Sequence, residues 1–298
     1  MYFYLEWKDR RPNLINLLNE KPKELNFEET FKIKGKEHTI CGWINPSFYT
    51  YYPSVKKTHT KSQYLSSHLQ KCIRRFDDVK SVKTAKNFIE IDYTSFIRRL
   101  PIIMLEDVCL HESFPILIWL MISNTKGFKL KVPIFKWLLG VVYHLSTCKE
   151  KTYYSKIIDE INIDNIDDIY INTLRFRKSY GGMKGDMYMI EYYTQNLKNM
   201  NVNTDKIFII KNDIEGLNKN EWVFEANDFH CNKYILNYIK EYFPKYEKEY
   251  IKKLIWIFSS SLNYRTNALE YTNKERDDWN NIKKKSKEIS KKLYLLLT

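Results

Sequence analysis

Helical periodicity in the stretch from residue 60 to residue 119 constrains the fold of this chain more than any other sequence feature. Within it, apolar residues recur at i, i+4, i+7 and i+8, the spacing of one helix face, at Leu65, Leu69, Cys72, Ile73 and Phe76. This spacing predicts a helix over residues 62–76. Lys71, Arg74 and Arg75 fall off the apolar face, and we expect these side chains to lie in solvent.

A second helix and a third, shorter helix follow in the same stretch. The second is predicted to have an apolar inner face formed by Val82, Ala85, Phe88 and Ile89. The third is predicted to end near residues 98–100. The reason is Pro101, which restricts the preceding residue to extended geometry or begins a new helix at its first turn.

Two charged pairs flank this proline. Arg98 and Arg99 precede it, and Glu106 and Asp107 follow the apolar run behind it. In one interpretation the pairs form salt bridges at helix ends, which contribute little to stability at a protein surface. In the other, the arginines bind phosphate and the carboxylates orient them, because a guanidinium group forms bidentate hydrogen bonds with phosphate oxygens.

The two Arg-Arg elements and the helix between them resemble a known family. The residues concerned are SHLQKCIRR, a following helix that contains an alanine, and FIRRLPIIMLEDV. They resemble the helical region C-terminal to the ATPase module of the replication-associated recombination ATPases, the AAA+ proteins that include the Werner-helicase-interacting protein. The match covers about 60 residues, roughly a fifth of the chain, which is part of a domain. The resemblance implies self-assembly and an association with DNA replication or recombination.

The nucleotide-binding part of that family has no counterpart in this sequence. No G-x-x-x-x-G-K-[ST] motif occurs, so the phosphate cradle and the magnesium-binding hydroxyl of a P-loop are missing. The 298 residues contain only 8 glycines, and no other strand-loop-helix pattern takes the place of the motif. We therefore expect no ATP hydrolysis and no cofactor.

The chain carries a net charge of +13, and most of the excess lies in two segments. Residues 49–100 hold 11 Lys and Arg against 4 Asp and Glu, and residues 279–298 hold 6 lysines against one glutamate. Concentrated positive charge attracts polyanions, of which nucleic acid is the leading candidate. The residues predicted to contact nucleic acid are Lys56, Lys57, Lys71, Arg74, Arg75, Arg98, Arg99, Arg177 and Lys184.

Cysteine usage and hydropathy bear on the compartment. The 5 cysteines stand far apart without a C-x-x-C pair, which argues against a disulfide framework and for a reducing intracellular compartment, cytoplasmic or nuclear. The longest apolar run, residues 114–122, is much shorter than the roughly 20 residues of a membrane span, so no membrane association is expected. Frequent Lys, Asn, Ile and Tyr are typical of AT-rich genomes, such as those of large DNA viruses, protists or low-GC bacteria.

The N-terminal 60 residues are predicted to form a small subdomain that contains β-structure. Alternation on either side of Gly35 over residues 31–43 predicts a β-hairpin, and we expect a short helix at residues 14–19. The following loop, residues 44–61, interleaves aromatic and basic side chains. Its tyrosines either stack on bases or, in the alternative, pack on the domain while its lysines stay solvated.

The remaining residues, 61–298, are predicted to form one helical domain with a potential subdivision at 199–220. The fold class is therefore mainly α, a large helical body with a small N-terminal subdomain that contains a β-hairpin. Apolar periodicity predicts further helices over residues 114–124, 133–148, 232–243, 246–260 and 273–297. The main core is predicted at Trp119, Trp137, Leu138, Val141 and Val142. Residues 206–213 are predicted to be a buried strand or short helix.

A glycine-rich segment near the middle of the chain is a candidate anion site. It contains Gly181, Gly182 and Gly185 ahead of a helix for which Asp186 is the predicted N-cap. Backbone N–H groups and the positive end of the helix dipole favour an anion there, with basic residues close by in sequence. The alternative is an interhelical turn that is basic without binding anything.

Potential metal ligands are sparse in the sequence, and no metal site is predicted. Asp228, His230 and Cys231 lie close together, but a zinc site requires three or four ligands and no partner pair is visible. His144 lies in a predicted helix without a nucleophile or base spaced near it, so we expect a packed side chain and assign no catalytic residue.

These features favour a non-enzymatic nucleic-acid-binding protein of DNA replication or recombination that contacts phosphates through basic helices. DNA is favoured over RNA as the partner, with a second copy of the chain or a replication protein as further partners. The first alternative is a structural scaffold whose basic helices oligomerise or bind an acidic protein. The second is a metal-dependent nuclease, which would require the scattered carboxylates of Glu106, Asp107, Asp186 and Asp228 to cluster.

Overall fold

The structure is a computed structural model, and it describes residues 1–53, 62–152, 168–218, 221, 226, 233–265 and 269–297. These residues contain nine α-helices and one four-stranded sheet. The prediction of a mainly α fold with N-terminal β-structure is confirmed at this level. No helix among the described residues is both long enough and apolar enough to cross a bilayer.

The chain divides into two compact units, each built from two segments. The first unit comprises residues 1–53 and 93–213, and the second comprises residues 54–92 and 214–298. The first boundary between the units, after residue 53, differs from the predicted boundary at residue 60. The last boundary, between residues 213 and 214, lies inside the predicted subdivision at 199–220.

The first unit begins with the sheet, whose strands are β1 (Tyr2–Trp7), β2 (Leu14–Leu18), β3 (Phe27–Ile33) and β4 (Lys36–Ile44). The strand order is β2-β1-β4-β3. β1 runs parallel to β4, and the two outer pairs are antiparallel. The predicted hairpin is confirmed as β3–β4, and Gly35 supplies the left-handed conformation of its turn with φ +80°.

The helix predicted at residues 14–19 is wrong, because these residues form β2. Ile15 lies opposite Leu5 and Leu17 lies opposite Phe3 in the ladder with β1. A short apolar run is ambiguous between helix and strand. Here the unpaired backbone groups at the edge of β1 favour the strand, because pairing satisfies them.

Helix α3 (Phe114–Thr125) packs against the sheet and is buried over most of its length. The indole N–H of Trp119 donates to the carbonyl oxygens of Cys41 at 2.9 Å and Phe3 at 3.2 Å, one on each of the two central strands. Gly42 makes this approach feasible, since a Cβ there would lie only 3.0 Å from Trp119 Cζ2. The predicted core residues Trp119, Trp137, Leu138, Val141 and Val142 are all buried.

Three further α-helices follow α3 among the described residues of the first unit. They are α4 (Val132–Thr147), α5 (Ile169–Ser179) and α6 (Lys184–Asn196). Residues 206–213 are neither strand nor helix, contrary to the prediction. They cross α4 at Gly140, where a Cβ would lie 2.0 Å from the Phe208 carbonyl oxygen. The segment lies against a helix, where its backbone finds no strand to pair with. It therefore stays irregular.

The second unit contains α1 (Ser62–Arg74), α7 (Lys233–Tyr242), α8 (Lys248–Ser259) and α9 (Asn273–Leu297). A cluster of buried side chains joins the last three helices and consists of Ile235, Ile239, Tyr246, Ile251, Leu254, Ile255 and Ile282. The four helices agree with the predicted periodicity. The inner face predicted at Val82, Ala85, Phe88 and Ile89 is also buried.

Helix α2 (Asp78–Asp107) corrects the predicted helix end before Pro101. The proline lies inside the helix, and the non-helical residue is Asp92, with φ −154° and ψ 78°. Asp92 is also where the chain passes from the second unit to the first. The apolar residues behind the proline, from Ile102 to Leu105, are fully buried. Burial of that turn offsets the loss of one helical hydrogen bond.

Candidate functional site

Lys71 and Arg74 do not lie in solvent, which corrects the prediction for helix α1. Both side chains are buried, at 0% and 1% exposure. The reason is that most of the surface of α1 is buried, and not only its apolar face. Arg74 Nη1 donates to the Ser260 carbonyl oxygen at 3.1 Å, and Arg75 Nε donates to Ser261 Oγ at 2.6 Å. A guanidinium group at the C-terminal end of α8 satisfies a carbonyl that has no partner within the helix. These two arginines therefore connect the end of α1 to the residues that follow α8, within the second unit.

The other predicted arginines bind groups of the first unit, although the Arg98 side chain is exposed. Arg99 lies between two carboxylates, with Nη2 3.3 Å from Glu106 and Nη1 3.3 Å from Asp186. This geometry favours the salt-bridge interpretation for Arg99. Arg98 donates to the Tyr180 carbonyl oxygen at 2.9 Å, and Arg177 donates to the Arg98 carbonyl oxygen at 3.1 Å.

The glycine segment forms a turn between α5 and α6. Gly181 has φ +70°, and its carbonyl oxygen accepts a hydrogen bond from buried Arg177 at 2.8 Å. Burial lowers the pKa of Arg177 to about 10, which leaves the group charged at neutral pH. The predicted N-cap at Asp186 is wrong, because the N-cap is Met183 and Asp186 lies in the first turn.

A carboxylate in the first helical turn already complements the positive end of the helix dipole. Asp186 supplies this carboxylate and also repels a second anion. The arrangement of Gly181, Gly182, Gly185 and Asp186 thus favours the structural interpretation of the segment. Lys184 remains exposed, with its Nζ 5.7 Å from the ring centroid of Tyr188.

Side chains suited to stacking and to phosphate binding occur together on helices α7 and α9. Tyr234, Tyr238 and Tyr242 follow i, i+4, i+8 spacing along α7, which places them on one face. Tyr234 is 71% exposed and Tyr242 is 51% exposed. Lys285 Nζ lies 4.2 Å from the ring centroid of Tyr242, and Lys292 Nζ lies 5.4 Å from that of Tyr238. We call these five residues the tyrosine–lysine face.

Hydrogen bonds shift the pKa of two groups in the tyrosine–lysine face. A hydrogen bond with Tyr242 raises the pKa of Tyr238, so this phenol stays neutral. A hydrogen bond to Glu288 raises the pKa of Lys285, so this ammonium group stays charged. Tyr238 thus supplies a neutral ring and Lys285 a positive charge. The tyrosine at every fourth position of α7 is visible in the sequence, but no binding surface was predicted from it.

The predicted aromatic loop divides into packed and exposed side chains. Tyr51 stacks on Phe135 with ring centroids 3.9 Å apart and an interplanar angle of 14°. Tyr49 and Tyr52 are exposed. Lys56 and Lys57 lie outside the described residues, and the same holds for Asp228, His230 and Cys231.

The carboxylates proposed for a nuclease do not assemble into a metal site in the described chain. Glu106 and Asp186 both pair with Arg99, and Asp107 is buried. The one group of three potential metal ligands found among the described residues is Cys109, Cys148 and Glu150. Cys109 and Cys148 lie 39 positions apart in sequence, and no local spacing rule connects them.

His144 is packed, as expected, and lies beside a second histidine. Its ring centroid lies 4.6 Å from that of His111, and the side chain is buried. His111 Nδ1 accepts a hydrogen bond from the Ser113 backbone N–H at 3.0 Å. The proton of His111 is therefore on Nε2, which donates to the Asp205 carbonyl oxygen at 2.9 Å. Burial lowers the pKa of His111 to about 4.

Comparisons of this chain with protein-family models, with curated proteins and with solved structures found no match in any of the three.

Proposed function

We propose that this protein binds nucleic acid without catalysing a reaction, and that the tyrosine–lysine face of α7 and α9 is the contact surface. The observation that carries the proposal is the pairing of two lysine ammonium groups with tyrosine rings of α7, a helix face on which Tyr234 and Tyr242 are exposed. Proteins that bind single strands stack bases on aromatic side chains and hold the backbone with basic ones. The three tyrosines and the two lysines supply both components.

The surrounding charge supports the same proposal. Helix α9 carries further exposed lysines outside the tyrosine–lysine face, namely Lys283, Lys284, Lys287 and Lys291. A run of exposed cations along one helix attracts the phosphate backbone over a distance of about one Debye length. The sequence already predicted that this C-terminal segment holds much of the positive excess.

The biological setting of the proposal is DNA replication or recombination, with DNA as the preferred polymer. Support for this part comes from the resemblance of residues 60–119 to the helical region of the replication-associated recombination ATPases. In this chain, the arginines of that stretch are engaged in hydrogen bonds and ion pairs within their own units, and Arg74 is buried, so we assign the proposed contact surface to other helices. Replication partners and self-assembly remain part of the same proposal.

The experiment that tests the proposal is anisotropy titration of fluorescent single-stranded and double-stranded DNA and RNA across a salt series. For a single strand, the slope of log affinity against log salt is about −0.7 per phosphate contact. A Lys285→Gln/Lys292→Gln variant is expected to reduce the slope by about 1.4, since two contacts are removed. The matched control, Lys248→Gln/Lys274→Gln, makes the same charge change at exposed positions outside the face.

If the slope of log affinity against log salt falls equally in both double variants, net charge governs binding and not the tyrosine–lysine face. Absence of binding at low salt would overturn the proposed function. In that event, salt-dependent self-association of the protein alone would favour the structural scaffold instead.

A further inference from the structure

Three potential metal ligands meet in the first unit where two helices end. Cys109 lies two residues beyond the end of α2, Cys148 is the C-cap residue of α4, and Glu150 follows two residues later. Their ligand atoms all lie within 4.8 Å of one another. We propose that Cys109, Cys148 and Glu150 form a binding site for one zinc ion, a function separate from the proposed binding of nucleic acid.

The spacing of the ligand atoms suits a tetrahedral zinc site. Zinc binds thiolate sulfur at about 2.3 Å and carboxylate oxygen at about 2.1 Å, so neighbouring ligands of a tetrahedron lie about 3.6–3.8 Å apart. Cys109 Sγ lies 3.6 Å from Glu150 Oε2. The upper limit of 4.8 Å for the remaining pairs requires an adjustment of about 1 Å, which side-chain rotation supplies.

The two thiols are available as metal ligands. They hydrogen-bond to each other and are not joined by a disulfide. Zinc displaces thiol protons when it binds, as it does in other thiolate sites.

A supporting residue orients the carboxylate. Asn203 Nδ2 donates to Glu150 Oε2 at 2.9 Å, and Asn203 N–H donates to the Leu110 carbonyl oxygen at 2.9 Å. The carbonyl oxygen of Asn203 in turn accepts from Glu112 N–H at 2.9 Å. Asn203 therefore connects Glu150 to the backbone directly after Cys109. Partners of this kind orient metal ligands and raise affinity.

The exposure of the cluster provides a route for the ion and a fourth ligand. Both cysteines are buried, whereas Glu150 is exposed. Because Glu150 is exposed, the site is open on this side to a water molecule as the fourth ligand, as in zinc sites with three protein ligands. His111 is not a ligand, because both of its ring nitrogens already form hydrogen bonds.

The test uses the full-length protein, reduced and kept free of oxygen, with Co²⁺ as a spectroscopic probe for zinc. Tetrahedral thiolate ligation gives Co²⁺ a near-ultraviolet charge-transfer band and intense visible bands. We expect both, together with their loss when one equivalent of Zn²⁺ is added. The Cys109→Ser/Cys148→Ser variant is expected to lose the charge-transfer band. Glu150→Gln, a substitution at an exposed side chain, is expected to weaken zinc binding at least about tenfold.

The controls are Cys41→Ala, which removes a buried cysteine of strand β4, and Cys231→Ala, which removes a cysteine outside the described residues. Both are expected to retain the spectrum. The proposal is overturned by an absence of thiolate bands in the wild-type protein, by their persistence in the double variant or by their loss in Cys231→Ala. It is also overturned if Glu150→Gln, folded by circular dichroism, binds zinc as tightly as the wild type.

Discussion

Arg74 Nη1 lies 3.1 Å from the carbonyl oxygen of Ser260, and both residues are buried within the second unit. This contact joins the end of α1 to the residue that follows α8, across 186 positions of sequence. It assigns a structural role to an arginine whose sequence pattern had suggested phosphate binding.

We predict that Arg74→Met lowers the free energy of unfolding by about 2 kcal/mol, the usual worth of a hydrogen bond to a charged group. Denaturant titration followed by tryptophan fluorescence measures the loss. The control Lys248→Met, at an exposed position of α8, is expected to change stability by less than about 0.5 kcal/mol. If Arg74→Met has unchanged stability but binds DNA more weakly, Arg74 is a phosphate ligand and not a structural residue.

Gly140 provides a second test of packing. We predict that Gly140→Ala destabilises the protein although alanine favours a helix by about 1 kcal/mol over glycine. The added Cβ would lie 2.0 Å from the Phe208 carbonyl oxygen, which is backbone and can move only with its whole segment. We expect a net loss of about 1–3 kcal/mol in denaturant unfolding, the usual cost of overpacking.

The matched control for this prediction is Gly185→Ala in the first turn of α6. An added Cβ there meets nothing within 4 Å, so this variant should be neutral or stabilised by up to about 1 kcal/mol. The packing argument fails if the two alanine variants have the same stability.

His111 should make stability depend on pH. Its folded-state pKa is lowered by burial to about 4, below the ordinary value of about 6.5 in the unfolded chain. The unfolded state therefore binds more protons, and stability falls as pH decreases from about 6.5 to about 4. Between pH 7 and pH 5 the loss of stability attributable to this group is about 2 kcal/mol.

Denaturant titrations at pH 7 and pH 5 measure this difference, and His111→Gln is expected to show a smaller one. Burial also lowers the pKa of His68, in the second unit, to about 3. His68 therefore leaves the variant with a pH dependence of stability of the same sign. A pH dependence identical in the variant and the wild type would contradict the assignment of a neutral buried His111.

The tyrosines of the tyrosine–lysine face should contribute to binding independently of base sequence. We predict that Tyr234→Ala/Tyr242→Ala weakens binding of single strands by about 1–3 kcal/mol for each base that loses its stacking partner. Fluorescence anisotropy with homopolymeric oligonucleotides of different bases measures this loss. The comparison variant Tyr49→Ala/Tyr52→Ala removes the two exposed rings of the aromatic loop. If only the loop variant weakens binding, the contact surface is the loop and not the face.

Local signals in the sequence predicted most helices and the hairpin. The final helix agrees with its predicted bounds, Asn273–Leu297, because a long amphipathic repeat specifies both the helix and its inner face. The hairpin agrees because Gly35 permits the turn that joins two alternating segments. The strand at residues 14–18 was mistaken for a helix, since five residues carry too little periodicity to decide.

The candidate sites were less accessible from the sequence, because each depends on residues far apart in the chain. Cys148 and Glu150 are two positions apart in sequence, but Cys109 lies 39 positions before Cys148 and meets them only where α2 and α4 end. The tyrosine repeat of α7 was visible, but its partnership with Lys285 and Lys292 required the packing of α7 on α9.

The sequence by itself determined the helical class, the hairpin and the concentration of positive charge, because periodicity, turn residues and charge counts are local properties. Only the tertiary structure decided which cations are buried. Periodicity identifies one apolar face, but it cannot show that α1 is covered on most of its surface, so that Lys71 and Arg74 lie inside. Tertiary packing also brought Cys109, Cys148 and Glu150 together, since chain topology alone sets the distances between such residues.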